Sequence, residues 1–116
     1  MSVPTLTETN IPTETGAASN ARRGSVNLTT TSEAEVIGTP GAGKCLVVEV
    51  VVTNASASVG TKVTLKENTE ELMTGFATSD GGGFVFKCQL KPNTALNAVC
   101  ETTGSDVEVS AIGHIK

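Results

Sequence analysis

The stretch Gly38-Thr39-Pro40-Gly41-Ala42-Gly43-Lys44 has the G-x-x-x-x-G-K spacing of a phosphate-binding loop. In such a loop, backbone amides at the start of a helix cradle the phosphates, and a following Ser or Thr hydroxyl reaches Mg²⁺. Here Cys45 follows the lysine, and Leu46 to Val52 (LVVEVVV) is made of strand formers. Without a helix N-terminus there is no aligned set of amides, so the glycines read as a turn feeding a long strand. His114 is the only histidine, so a dyad or a zinc site would have to be built around one imidazole. Ser and Thr are abundant, but a nucleophilic hydroxyl needs an activating base, and no G-x-S-x-G elbow is present.

Carboxylates occur in pairs. Glu33 and Glu35, like Asp106 and Glu108, are two residues apart and share a face if their segments are strands; Glu70 and Glu71 are adjacent. Such pairs can hold cations or serve as acid and base. On the solvent side of a β-domain they read as solubilising surface. Cys45, Cys88 and Cys100 are an odd set whose spacing matches neither C-x-x-C nor a zinc finger, and they read as three buried or half-buried thiols. Asn27-Leu28-Thr29 and Asn54-Ala55-Ser56 fit the N-glycosylation sequon, but Met1 to Asn20 shows no secretory signal. No catalytic group, metal or cofactor is expected, and the chain does not read as an enzyme.

The elements that must position these residues are strands. The 116-residue chain has room for one ordinary domain. Val, Leu, Ile and Phe make up roughly a quarter of it, above the ~20% below which disorder is the default. Residues 1–23 are rich in Thr, hold two prolines and carry only scattered apolar residues, so they are predicted to form an extended N-terminal arm. Within it, Leu6 and Ile11 could anchor the arm to a partner, and Arg22-Arg23 could dock on carboxylates or serve as a solvated hinge.

Residues 24–116 alternate apolar and polar in short runs: Ser25–Thr30, Glu33–Ile37, Lys44–Thr53, Thr61–Glu67, Leu72–Thr78, Phe84–Leu90, Ala95–Thr102 and Asp106–Ile115. Turn chemistry separates the runs. Seven or eight short strands at this spacing predict an all-β, antiparallel β-sandwich, jelly-roll-like in order. Glu67 to Met73 is predicted as a loop or hairpin, or one helical turn, because two turns of helix do not stand alone.

The run Lys44–Thr53 is apolar on both sides. Leu46, Val48, Val50 and Val52 point one way, while Val47 and Val51 flank Glu49 on the other. A strand apolar on both faces is covered on both faces. A neighbouring subunit would cover Val47, Glu49 and Val51; the arm or the Ser79–Gly83 loop is the other candidate cover. The charge of −4 and the absence of clustered cations argue against nucleic acid as a partner, and no apolar run reaches membrane-spanning length. Trp and Tyr are absent, which weakens any stacking-based binding.

The order of segments resembles a known arrangement. A glycine turn ending in GAGK precedes a Val-rich strand that runs into VVTNASAS. Then come TKVTLK, a Gly-rich turn into GGFVF, NTALNAVC and a closing VEVSAIGHI. From Gly38 to Ile115 this is similar to the small β-proteins of tailed-bacteriophage structural modules, among them head decoration, or cement, proteins. Where the members compared carry an aromatic-containing stretch after the GGF strand, this chain has CQLKPNT.

The resemblance implies a β-sandwich that assembles as a homotrimer on the outer surface of a virion. It would be folded in the host cytoplasm and contact the major capsid protein through the arm (Leu6, Ile11, Arg22, Arg23). A receptor- or glycan-binding module of a tail fibre or bacterial surface is the alternative expectation.

Overall fold

The computed structural model describes residues 20–116. Eight strands follow in order: β1 (Ala21–Leu28), β2 (Ala34–Ile37), β3 (Leu46–Asn54), β4 (Thr61–Glu67), β5 (Glu70–Ala77), β6 (Gly83–Gln89), β7 (Leu96–Cys100) and β8 (Val107–Ile115). They form two four-stranded antiparallel sheets. Sheet A has the order β1-β8-β3-β6 and sheet B the order β2-β7-β4-β5. The chain is thus a long folded hairpin: β4 pairs with β5, β3 with β6, β2 with β7 and β1 with β8. Wrapped into two layers, this is the eight-stranded jelly roll.

Valine explains much of the layer packing, because a branched β-carbon fits the pleated surface. The inner face of β3 supplies Leu46, Val48, Val50 and Val52, and β8 adds Val107, Val109 and Ala111. From sheet B, Val63, Leu65, Leu96, Ala98 and Cys100 pack against them. Phe84, Phe86 and Cys88 on β6 are only half-buried against this core.

At the β1–β2 side the sheets come close together. A Cβ on Gly24 would lie 1.8 Å from the Val36 carbonyl oxygen, so only glycine fits there. The register of β2 shifts between Glu35 and Ile37 at the same place. At one end of the sandwich, Asn54 is fully buried. Its Nδ2 donates to the carbonyls of Val59 (2.7 Å) and Ala77 (3.1 Å), while its Oδ1 accepts from the amides of Ser56 (3.1 Å) and Asp106 (3.3 Å). One side chain therefore ties together three connections.

Glu67 to Met73 forms the β4–β5 hairpin, turning at Asn68 with φ 51°. Strand β1 begins at Ala21, ahead of the expected boundary at residue 24. Arg22 and Arg23 pair with Gly113 and Ile112 and are part of sheet A. An edge strand needs ladder partners on one side only, and charged side chains are common guards there. Residues 1–19, and with them Leu6 and Ile11, lie outside the described residues.

Candidate interaction surface

The outer faces of the two sheets differ in chemistry. On sheet B, Lys66 Nζ lies 2.7 Å from Glu33 Oε1, and Asn97 Nδ2 donates to Glu33 Oε2 at 3.1 Å. The hydroxyls of Thr64 and Thr74 meet at 2.9 Å, and Thr74 Oγ1 donates to Glu71 at 3.0 Å. This face is mostly polar, with part of its charges and hydroxyls paired, and it also carries Phe76, 58% exposed, opposite Lys62 on β4.

The outer face of sheet A is built in cross-strand rows. One row runs Ala21, His114, Val47, Gln89; the next Arg23, Ile112, Glu49, Lys87; the next Ser25, Ser110, Val51, Val85. Val51, Val85 and Ile112 are among the exposed large hydrophobic residues of the molecule, and Val47 is half-buried. Together they surround Glu49, whose carboxylate lies 3.5 Å from Lys87 Nζ. Both partners of that pair are more than half exposed, so it contributes at most about 1 kcal/mol. Shallow grooves flank Ile112, one bounded by Arg23, Glu49 and Val51, the other by Val47, Lys87 and His114.

The structure brings Val47, Glu49 and Val51 to one face, with Arg23 beside them in the row of Ile112. It separates the two arginines. Arg22 pairs with inward-facing Gly113 and so belongs to the opposite side of β1 from Arg23. The pair cannot act as one bidentate clamp.

Sequence reasoning missed Val85, Ile112 and His114 as members of this face. Ile112 stands two residues after Ser110 and four after Glu108, so the period of the last strand already placed it outward. What the period could not supply was that β8 and β6 flank β3, which requires the topology.

The other candidate chemistry is dispersed. The Gly38–Lys44 segment is a loop with Gly41 at φ 115° and Gly43 at φ 74°, and it leads into β3, not into a helix. Glu70 pairs with Lys91, and Asp106 accepts from Asn27 Nδ2 at 2.7 Å. Among the described residues, no three His, Cys, Asp or Glu side chains are gathered closely enough to hold a metal ion. Cys100 is buried, with its Sγ 3.0 Å from the Thr30 carbonyl, and Cys45 and Cys88 are half-buried; all three are free thiols. Burial pushes the Cys88 thiol up from its ordinary value, and the Glu67 carboxylate adds to the shift. A raised thiol is a poor nucleophile at neutral pH.

No protein-family model matches the chain, and no curated protein matches its sequence.

Proposed function

We propose that this protein is a structural virion protein. It is a capsid decoration, or cement, protein that binds as a homotrimer on the outer surface of an assembled phage head and bridges major capsid subunits. The observation that supports this reading is the contrast between the two sheet faces. Sheet B presents one exposed large apolar side chain, Phe76, on a mostly polar face, whereas sheet A presents Val51, Val85 and Ile112 together to solvent around one weak ion pair. A contiguous apolar patch of this kind on a small domain marks a contact surface.

The chemistry fits a clamp. A protein that binds the assembled lattice better than its separated parts stabilises the lattice by mass action, and no bond need be made or broken. Several modest interfaces per trimer act together through high effective concentration. The alternative, a receptor- or glycan-binding module, has one feature in its favour: Phe76 on β5 is 58% exposed and offers a single aromatic platform.

Co-sedimentation with purified phage heads, combined with light scattering, tests the proposal. Bound trimers at saturable stoichiometry are expected, with binding weakened when residues 1–19 are removed. A monomer that fails to sediment with the heads overturns it. Glycan-array binding lost on Phe76→Ala would move the reading to the alternative.

A further inference from the structure

The four sheet edges are not equally guarded. Strand β1 carries Arg22 and Arg23, and its Gly24 lies against β2. Strand β2 has four residues and a register shift. Strand β5 has a register shift and begins with Glu70 and Glu71. These are the usual devices against edge pairing. Strand β6, GFVFKCQ, has seven residues, no register shift against β3 and one charged side chain, Lys87.

The direction of the β6 peptide groups follows from the ladder. Leu90 N–H donates to Leu46 O, and Asn54 N–H donates to Gly82 O, each at 2.8 Å, continuing the β3–β6 register at its two ends. Antiparallel pairs alternate, so Phe84, Phe86 and Cys88 turn their peptide groups toward β3. Gly83, Val85, Lys87 and Gln89 turn theirs away, and among the described residues no strand receives them.

We propose that β6 is a self-pairing edge. Two copies join antiparallel about a two-fold axis at Phe86, making one continuous sheet from their two A sheets. In this register Val85 faces Lys87 of the second copy and Gly83 faces its Gln89, so all the outward peptide groups pair. Each Lys87 meets a valine and keeps Glu49 of its own chain as counter-charge. A shift that set Lys87 against Lys87 would oppose like charges. A shift that set Val85 against Val85 would leave Gln89 overhanging. At the seam, Phe86 would stand opposite Phe86 of the second copy, covering rings that one chain leaves half-exposed. A non-hydrogen-bonded aromatic pair brings its side chains closest together. The contact goes beyond the trimer reading because it uses an edge and leaves the Val47–Val51 face free.

Light scattering on the full chain and on Val85→Pro tests this directly. The Val85 N–H does not serve β3, so proline there removes an outward donor while the native ladder stands. The expected result is an assembly whose mass halves in the variant, whatever the wild-type multiple. Backbone amides of Val85 and Lys87 should exchange slowly in the wild type, and the Lys87 amide rapidly in the variant, where position 85 has no amide hydrogen left to follow. Should proline at 85 impair folding, Gln89→Pro at the end of the strand removes the outward donor that meets Gly83 of the second copy and leaves the valine patch unaltered, and the same halving is expected. Equal masses for wild type and a folded variant, or Val85 and Lys87 amides exchanging as fast as loop amides in the wild type, overturn the proposal. Failure of the trimer alone would leave a wild-type dimer and a variant monomer, so the two readings fail separately.

Discussion

Val51 on β3 stands directly opposite Val85 on β6, and both side chains face away from the core, 44% and 61% exposed. A β-branched cross-strand pair contributes most when its outer side is also covered. Val51→Asp places a charge on this patch without disturbing the inner face of β3. Unfolding free energy is expected to change by no more than ~0.5 kcal/mol, as for other surface substitutions. The assembled mass by light scattering is expected to fall. An unchanged mass in a folded variant would show that the valine face is not the contact between subunits.

Asn54 has no such freedom. Its side chain is buried with both donor positions and its acceptor oxygen used, by Val59, Ala77, Ser56 and Asp106. Replacing it with leucine keeps the volume and strands these backbone groups, each costing about 1–3 kcal/mol when left unpaired. The Asn54→Leu variant is expected to lose at least ~3 kcal/mol in urea titration, and Asn54→Asp to be no milder at neutral pH, because its second carboxylate oxygen would face the Val59 and Ala77 carbonyls, to which it cannot donate. The same burial argues against the Asn54-Ala55-Ser56 sequon as a sugar acceptor, since Nδ2 faces two carbonyls and not solvent.

The strands were legible because alternation writes itself into sequence. Leu46, Val48, Val50 and Val52 are inward as their period requires, and Thr61–Glu67 appears with the limits its residues suggested. Residues 21–23 were not legible as strand. Ala21, Arg22 and Arg23 carry no alternation, and their place in sheet A rests on ladder bonds to β8, a partner more than eighty residues away. Part of the surface was legible in the same way. Val47 and Val51 stood out because they interrupt a polar face within one strand. Val85 and Ile112 complete the patch through strand order, a long-range property that no local period records. Asn54 looked like a loop residue because the bonds that make it a buried tie, to Ala77 and Asp106, reach segments distant in sequence.

Gly24 offers a steric test of the β1–β2 corner. A methyl group there would overlap the Val36 carbonyl, which is backbone and cannot rotate aside. Overpacking of this kind typically costs ~1–3 kcal/mol or more, since the strands must separate. Gly41 has positive φ but open space around its α-carbon, so alanine there meets only the left-handed backbone penalty of ~1–2 kcal/mol. Gly24→Ala is expected to lower the melting temperature more than Gly41→Ala in parallel thermal scans. The reverse order would mean that the sheets do not close together at Val36.

Stability at alkaline pH follows from two groups whose folded forms hold their protons more tightly than the unfolded chain. Cys88 is raised from 9.0, first by burial and then by Glu67. Lys91 is raised from 10.5 by its hydrogen bond and charge interaction with Glu70, with a smaller contribution from Glu67. A group with a raised folded pKa contributes stability that is fully present below its unfolded pKa and is lost as pH rises through the folded value. The thiol therefore begins to erode stability above about pH 9, and the lysine adds to the loss only above about pH 10.5. Chemical denaturation from pH 7 to 11 should give a plateau followed by a decline beginning near pH 9. Cys88→Val fills similar space without a titrating proton, so its decline should begin later than that of the wild type. Identical pH profiles for the two proteins would show that Cys88 is as well solvated in the folded chain as in the unfolded one, and that β6 does not seat its thiol against the core.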